Sequence, residues 1–473
     1  MDATSAMQRV ALVADPGSFE PFDQVEGPVV DPLDFHDRVP YRKRLREARR
    51  ATGAGEAVLT GSCRLDSHRV VVIASEFGFL GGSIGVAAAT RIAHAFERAT
   101  AFGAPVIALV ASGGSRMQEG TLALVQMPRL ADAAWRFRRS GGLYVTYLMH
   151  PSTGGALASW ASLGSVTLAA PGALVGFAGP RVALALGERP AANRTEALHE
   201  AGWIDELVAP AALRDCLARL LRIVAAPSAM PPRLGQLPWQ RRSDPWEDLQ
   251  DVRRADRFGV RELLAAWQAP VFELHGDRGG RGDDGACLAA VARIAGRAVV
   301  LVAHNRSVSG GAIGAPGLAK ARRAMRLADE LGLPLVLVVD TPGAELGDVA
   351  IAGEVALTLE ALAGLRVPTV SVLLGQGGSG GAVAFLAAGR VLTLARAGLW
   401  VIAPEAASAI LFRDTDHAPA LARAQGGGAA DLLARGIVDE VVADDGDVRV
   451  AAAALEAALG RALSELETRG AVA

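Results

Sequence analysis

Lysine is almost missing from this 473-residue sequence: Lys43 and Lys320 are the two present, and arginine carries the rest of the positive charge. That bias reflects a GC-rich coding composition more readily than any function. Cysteine is scarce as well. Cys63, Cys216 and Cys287 stand far apart with no CxxC pair, which argues against a zinc ribbon or a disulfide framework and fits a reducing, cytoplasmic compartment. A net charge of −2 provides no footprint for nucleic acid or an anionic membrane surface. The N-terminus, MDATSAMQRVALVADPGSFEPFD, has no basic stretch leading into an apolar run, so no signal peptide is expected. His68, His150, His275 and His304 share no metal-ligand spacing, and no metal is expected.

One long stretch lacks charge altogether. Residues 141–180 contain no Asp, Glu, Lys or Arg, yet Pro151, Gly154, Gly155, Gly164, Pro171 and Gly172 interrupt them. Buried strands and turns explain this better than a helix in lipid. The composition as a whole, 51% hydrophobic and 21% charged, is that of a folded globular chain long enough for two domains.

What is present is a unit written twice. Residues 70–115 and 299–344 align without a gap at an offset of 229, with 13 of 46 positions identical. The identities fall on bends: Gly81 with Gly310, Gly82 with Gly311, Gly85 with Gly314, Gly103 with Gly332, Pro105 with Pro334, Gly114 with Gly343. Glycine and proline at matching bends mark a structural repeat. The likeness resumes at an offset of 226, where PSTGGA at 151–156 matches GGSGGA at 377–382, each after an apolar run. Val70–Ala74, Val106–Val110, Val299–Ala303 and Leu335–Val339 are apolar without alternation, as in strands buried on both faces. Segments 86–102 and 315–331 carry apolar residues at helical spacing. Strands alternating with helices indicate an α/β fold built around largely parallel sheets. The expected division is 1–224, a proline-rich linker at 225–256, and 257–473, with helical tails near 194–224 and 418–468.

Four glycines are the leading site candidates. Gly154-Gly155 and Gly380-Gly381, followed by Ala156 and Ala382, each come after a buried strand and before an apolar helical stretch, Leu157–Leu163 and Val383–Ala388. A glycine pair there turns the chain sharply and aims backbone N–H groups from a helix start, an arrangement that stabilises an oxyanion. The bland alternative is tight strand–helix packing that binds nothing. One strand earlier, Ser112-Gly113-Gly114-Ser115 and Thr341-Pro342-Gly343-Ala344 would supply second donors, line a ligand channel, or serve as plain βα turns. No Gly-Lys-Ser/Thr follows, so these are not P-loops, and Gly81–Gly85 matches a dinucleotide fingerprint only loosely. Glu119 and Glu405 are candidate general bases, though helix caps fit both better. Arg116, Arg181 and Lys320 would meet cofactor phosphates or else sit in ion pairs.

With these residues in view, the chain resembles the carboxyltransferase component of acetyl-CoA carboxylase, with the bacterial β- and α-type subunits fused in that order. The β-like half shows PGSFEPFD, EFGFLGGSIG, ASGGSRMQEG, PSTGGALAS and GFAGPRV; the α-like half shows FELHGDRGGRGDD, DTPGA, GQGGSGGA and APEAASAIL. Together they cover about 16–224 and 250–445. The resemblance implies two tandem crotonase-like (ClpP/crotonase) ββα-superhelix domains. It also implies transfer of CO2 from carboxybiotin on a carrier protein to the methyl carbon of acetyl-CoA, or a short acyl-CoA thioester, giving malonyl-CoA. Both partners pass through oxyanions, so one backbone oxyanion hole per half suffices without catalytic side chains. Gly154 and Gly155, with Gly113 and Gly114, would face the acyl-CoA; Gly380, Gly381 and Ala382, with Gly343, would face the biotin. The implied partners are a biotin carboxyl carrier protein, a biotin carboxylase and a second copy of the chain, as homodimer or hexamer. A biotin-independent malonate decarboxylase component and a non-catalytic assembly subunit are the alternatives. Two departures stand out: no zinc ribbon precedes the β-like half, and the α-like half reads ELGDVAIAGE after DTPGA and has Ala406 where glycine is usual.

Overall fold

The computed structural model describes residues 5–22, 31, 33–177, 194–225, 239, 244–345 and 350–470. Arg181 and residues 178–182 of the GFAGPRV motif lie outside them. The chain divides into two units, Met1–Leu221 and Arg222–Ala473.

The first unit holds β1 (Glu20–Pro21), β2 (Val58–Leu65), β3 (His68–Ser75), β4 (Val106–Ser112), β5 (Tyr144–Thr153), β6 (Val166–Ala169), β7 (Val175–Gly176) and β8 (Glu206–Leu207). Their order across the sheet is β1-β2-β3-β4-β5-β6-β8, with β7 beside β5. The second unit repeats this with β9 (Val271–Leu274), β10 (Cys287–Ile294), β11 (Arg297–His304), β12 (Leu335–Thr341), β13 (Thr369–Gly378), β14 (Arg390–Leu394), β15 (Gly398–Trp400) and β16 (Glu440–Val442). Here the order is β9-β10-β11-β12-β13-β14-β16, with β15 beside β13. Each sheet begins with an antiparallel hairpin and continues in parallel. The hairpin turns, Asp66-Ser67 and Ala295-Gly296, all have positive φ, the conformation whose twist matches the flanking strands.

The long helices of the repeat are Val86–Phe102 and Ala315–Leu331, at the positions their spacing predicts, and each closes on a left-handed glycine, Gly103 and Gly332. They lie over sheets whose central strands are buried along nearly their whole length, because helices and turns leave neither face to water. In the first unit Ala88, Ile92, Phe96 and Ala99 pack onto Val71, Ile73 and Val106. Phe96 meets Tyr144 edge-on at 5.0 Å and Phe137 at 5.6 Å. The uncharged stretch forms β5, a short helical turn, β6 and β7, and no described helix is long and apolar enough to cross a membrane. Pro245–Arg253, between the repeats, is a helix capped by the Asp244 side chain. The helical tails carry short closing strands, β8 and β16.

The structure corrects the second repeat offset. β5 and β13 are both ten residues long, and their pairing runs from Val106 with Tyr144 and from Leu335 with Thr369. That sets an offset of 225 along the strands. The left-handed residue that follows is Gly154 in one unit and Ser379 in the other, so the two glycine pairs are not superposed residue for residue. The helical stretches after them also differ from the sequence reading. Leu157–Ala161 winds as a π-helical turn, and the other helix ends at Val383.

The repeated Gly-Gly in the turns Leu80–Gly82 and Ser309–Gly311, beyond the ends of β3 and β11, has a steric origin. Gly82 and Gly311 have φ of +63° and +85°, and a β-carbon on either would collide with a backbone carbonyl, that of Ala111 or Asp340. Gly81 and Gly310 are also left-handed but face open space. Gly82→Ala and Gly311→Ala should therefore each destabilise by about 2–4 kcal/mol, and Gly81→Ala and Gly310→Ala by about 1–2 kcal/mol. Urea-unfolding midpoints of the four variants test this ranking.

Candidate active site

In each unit the turns that end two adjacent parallel strands come together, β4 with β5 and β12 with β13. Gly114 has φ +105° and Gly154 has φ +64°; a β-carbon on Gly114 would lie 3.1 Å from both Gly154 Cα and Gly155 N. The two turns therefore pack backbone against backbone. A side chain on Gly155 would run into the Ser115 hydroxyl and Met127. In the second unit a β-carbon on Gly381 would lie 2.6 Å from Ala344 N and 2.8 Å from Gly343 C. Gly380 is freer, with Val355 at 3.7 Å. One residue separates the left-handed position from the glycine pressed on the earlier turn in Ser379–Gly381, and none does in Gly154–Gly155. Ser379 holds φ +51°, a conformation costing a non-glycine residue roughly 1–2 kcal/mol.

Both short helices start at these turns without a side-chain cap, at Thr153 and at Gly378. Their first N–H groups have no intrahelical acceptor by construction. Gly154, Gly155 and Gly380 are half-buried, and Gly381 and Ala382 are buried.

The earlier turns have their amides engaged, which corrects the expectation of second donors. Gly113 N donates to Gly81 O at 2.8 Å, Gly114 N to Ser112 Oγ at 3.1 Å, and Gly343 N to Thr341 Oγ1 at 3.0 Å. These turns shape the wall against which Gly154–Gly155 and Gly380–Gly381 are set.

The charged candidates prove to be anchors. Glu119 is buried; its Oε2 accepts from Val86 N at 2.6 Å, starting the Val86–Phe102 helix, and its Oε1 accepts from Tyr41 OH at 2.7 Å and Arg116 Nη1 at 3.1 Å. Arg116 is 1% exposed and also donates to Glu56, to Tyr41 OH at 3.2 Å and to Ser83 O at 2.7 Å. Burial would lower its proton affinity, but Glu56, Tyr41 and Glu119 outweigh burial and raise it. In the second unit Asp284 does the anchoring, accepting from Gly314 N and Ala286 N, both at 2.8 Å. Glu405 sits in the first turn of Pro404–Leu411 and pairs with Arg253 Nη1 at 2.6 Å. Burial would raise its pKa, but the Arg253 hydrogen bond, a backbone amide and the Arg253 charge together prevail and lower it. Arg253 also reaches Gln376 Oε1 at 3.2 Å, and Arg257 grips Asp340 at 2.6 and 2.7 Å just before the Thr341–Gly343 turn. Lys320 is buried against Asp283 at 2.7 Å and Cys287 O at 2.9 Å, so it is not poised for phosphates. Among the described residues no group of three metal-ligating side chains converges.

Tyr41, Glu56, Asp284 and Arg257 were not singled out as site residues in the sequence, although Asp284 closes the FELHGDRGGRGDD motif. Each acts across 30 to 83 residues of chain, and local pattern carries no such signal.

The carboxyl transferase domain family matches residues 4–443. The chain belongs to the carboxyl transferase family. It is 46% identical over 91% of its length, and 87% of the relative's, to a Mycobacterium tuberculosis protein named as a probable biotin-dependent acyl-coenzyme A carboxylase beta3 subunit. It is 39% identical over 97% of its length to the acetyl-coenzyme A carboxylase carboxyl transferase subunits beta/alpha of Saccharopolyspora erythraea, covering 84% of that protein. Among solved structures it matches transcarboxylase 12S, with a TM-score of 0.75 and 23% identity over 98% of this chain and 90% of that one. The two units of this carboxyltransferase thus have the crotonase-like fold that the resemblance implied.

The buried network around Arg116 yields a stability test. Arg116→Met leaves Glu56 and Glu119 buried without their cation, at a cost of about 3–5 kcal/mol. Lys43 pairs with Glu47 at the surface at 3.9 Å, and Lys43→Met should change stability by less than about 1 kcal/mol. Denaturant titrations of both variants check the contrast.

Proposed function

We propose that this carboxyltransferase moves a carboxyl group between carboxybiotin on a carrier protein and a short acyl-CoA, acetyl-CoA first among them, with malonyl-CoA as product. The observation that carries the reading is the pair of uncapped helical turns, one per unit, each set backbone-to-backbone against the preceding turn. Two developing oxyanions need two such sites, and neither needs a side-chain acid or base.

On this reading the Gly154 and Gly155 amides hold the thioester oxygen of the acyl-CoA while its methyl carbon carries negative charge. The Gly380, Gly381 and Ala382 amides hold the ureido oxygen on the biotin side. Bound carboxybiotin supplies the activated carboxyl group and a nitrogen able to take up the methyl proton. The donors are fixed by strand register and glycine contact, so they need no reorganisation as charge develops, which is where such sites gain most. Removing one typically costs about 2.7–4 kcal/mol of transition-state stabilisation. The names of the relatives support biotin dependence and acyl-CoA substrates. The structurally similar 12S protein is described as a hexamer assembly, and assembly of several copies of this chain is part of the proposal. A biotin carboxylase and a carrier protein follow as partners.

Purified protein given malonyl-CoA and free biotin should form acetyl-CoA and carboxybiotin, the reverse reaction. Methylmalonyl-CoA in parallel bounds the acyl group. Activity with neither compound rejects the proposal. A β-carbon on Gly380 would meet Val355 at 3.7 Å, an ordinary contact, so Gly380→Val should leave the circular dichroism spectrum intact while its branched side chain displaces the ligand or the turn and transfer falls by on the order of a hundredfold. Unchanged transfer would remove that turn from the mechanism.

A further inference from the structure

His304 ends β11, and none of its side chain reaches solvent. Its ring lies 4.5 Å from that of Phe385, centroid to centroid, at 32°. Phe385 closes the Ser379–Val383 turn, its amide donating to Ala382 O at 3.1 Å. On the other side Nδ1 stands 3.3 Å from the Val338 carbonyl, on the neighbouring parallel strand β12. Nε2 has no partner within hydrogen-bond geometry among the described residues, although the Gly381 backbone also acts on the ring from farther off. A buried polar atom left unpaired costs roughly 1–3 kcal/mol, and the sheet does not require an imidazole here, since the aligned residue of the first unit is the fully buried Ser75. Burial pushes the imidazole down to about 3, against the opposing pull of the Val338 and Gly381 backbones. The ring is therefore neutral through the physiological range.

We infer that His304 is a positioning residue for the second glycine turn. Wedged between β12 and the segment that carries Gly380, Gly381 and Ala382, it fixes the direction in which those amides point. The first unit sets its own turn differently, through the contact of Gly155 with Ser115 and of Gly114 with Gly154. In the second unit Ala344 replaces that serine; Gly381 is pressed on the Ala344 and Gly343 backbone, and Gly380 has no comparably close neighbour. A flat, neutral ring against Phe385 adds a second support, beside the backbone contact of Gly381, to the segment that the loosely packed Gly380 leaves free. It touches no substrate and acts through the turn. The inference rests on reading that turn as the biotin-side site.

The test uses the full-length protein with His304→Ala, His304→Gln and Ser75→Ala, assayed with malonyl-CoA and free biotin. For His304→Ala, kcat should fall by on the order of tenfold to a hundredfold, as for other displacements of a positioned group. Malonyl-CoA affinity by calorimetry should stay within about twofold, because the other unit binds it. His304→Gln, neutral and polar, should recover part of kcat. Hydrogen–deuterium exchange should rise in peptides covering 376–388 and stay unchanged in those covering 148–163. Ser75→Ala should leave kcat near that of the unsubstituted protein. A kcat for folded His304→Ala within about twofold of the unsubstituted protein, or exchange rising equally at both turns, overturns the inference. If His304→Ala does not fold, His304→Gln carries the same comparison. Should the unsubstituted protein transfer no carboxyl group, the functional reading fails, and exchange at 376–388 still decides the role of His304.

Discussion

The site depends on one close approach: at the ends of neighbouring parallel strands, two glycine turns meet with no side chain between them. Gly114 and Gly154 make this contact in the first unit, and Gly343 and Gly378 with Ser379 make it in the second. With nothing interposed, the start of the short helix is placed by the register of the sheet. Amide direction then depends on hydrogen-bonded backbone, which has far fewer soft degrees of freedom than a rotamer. The helices and ion pairs around the site serve to keep that contact closed.

The units share this backbone solution while differing in the side chains that brace it. Glu119 starts the long helix of the first unit and Asp284 that of the second, each from a different point in the chain. Gly154 is answered by Ser379, Ser115 by Ala344 and Ser75 by His304. In the first unit a buried arginine with two carboxylates and a tyrosine locks the flank. In the second, Arg253 and Arg257 reach Gln376, Glu405 and Asp340 from the helix between the repeats and the loop after it. A duplicated scaffold whose braces have diverged is consistent with two different ligands.

Much of this was legible in the sequence, for identifiable reasons. Glycines at bends are read easily because sterics leave few substitutes: Gly82 and Gly311 would collide with backbone if they carried a β-carbon. The strands were visible as unalternating apolar runs because both faces are covered. The long helices were bounded correctly because a left-handed glycine ends each. What stayed hidden was set by contacts distant in sequence. GGSGGA matches PSTGGA by letter, yet strand pairing displaces it by one residue and places a serine where a left-handed glycine was expected. The amides of Gly113, Gly114 and Gly343 are satisfied within the fold, which no local pattern announces. His304 was noticed only as one of four histidines without metal-ligand spacing; its place against Phe385 exists because β11, β12 and the glycine turn converge.

The edges of the two sheets have a consequence for how copies of the chain can meet. The first sheet ends at β1, two exposed residues of which one is proline, and at β8, also two residues long. The second ends at β9 and β16, of four and three residues. Strands this short offer almost no ladder for another chain to extend, and proline removes a donor from one of them. Growth by strand addition, the common route from a stable sheet to a fibre, finds little to build on at the edge strands among the described residues. Among the described residues, the surfaces that remain for one copy to meet another are helices and loops rather than strand edges.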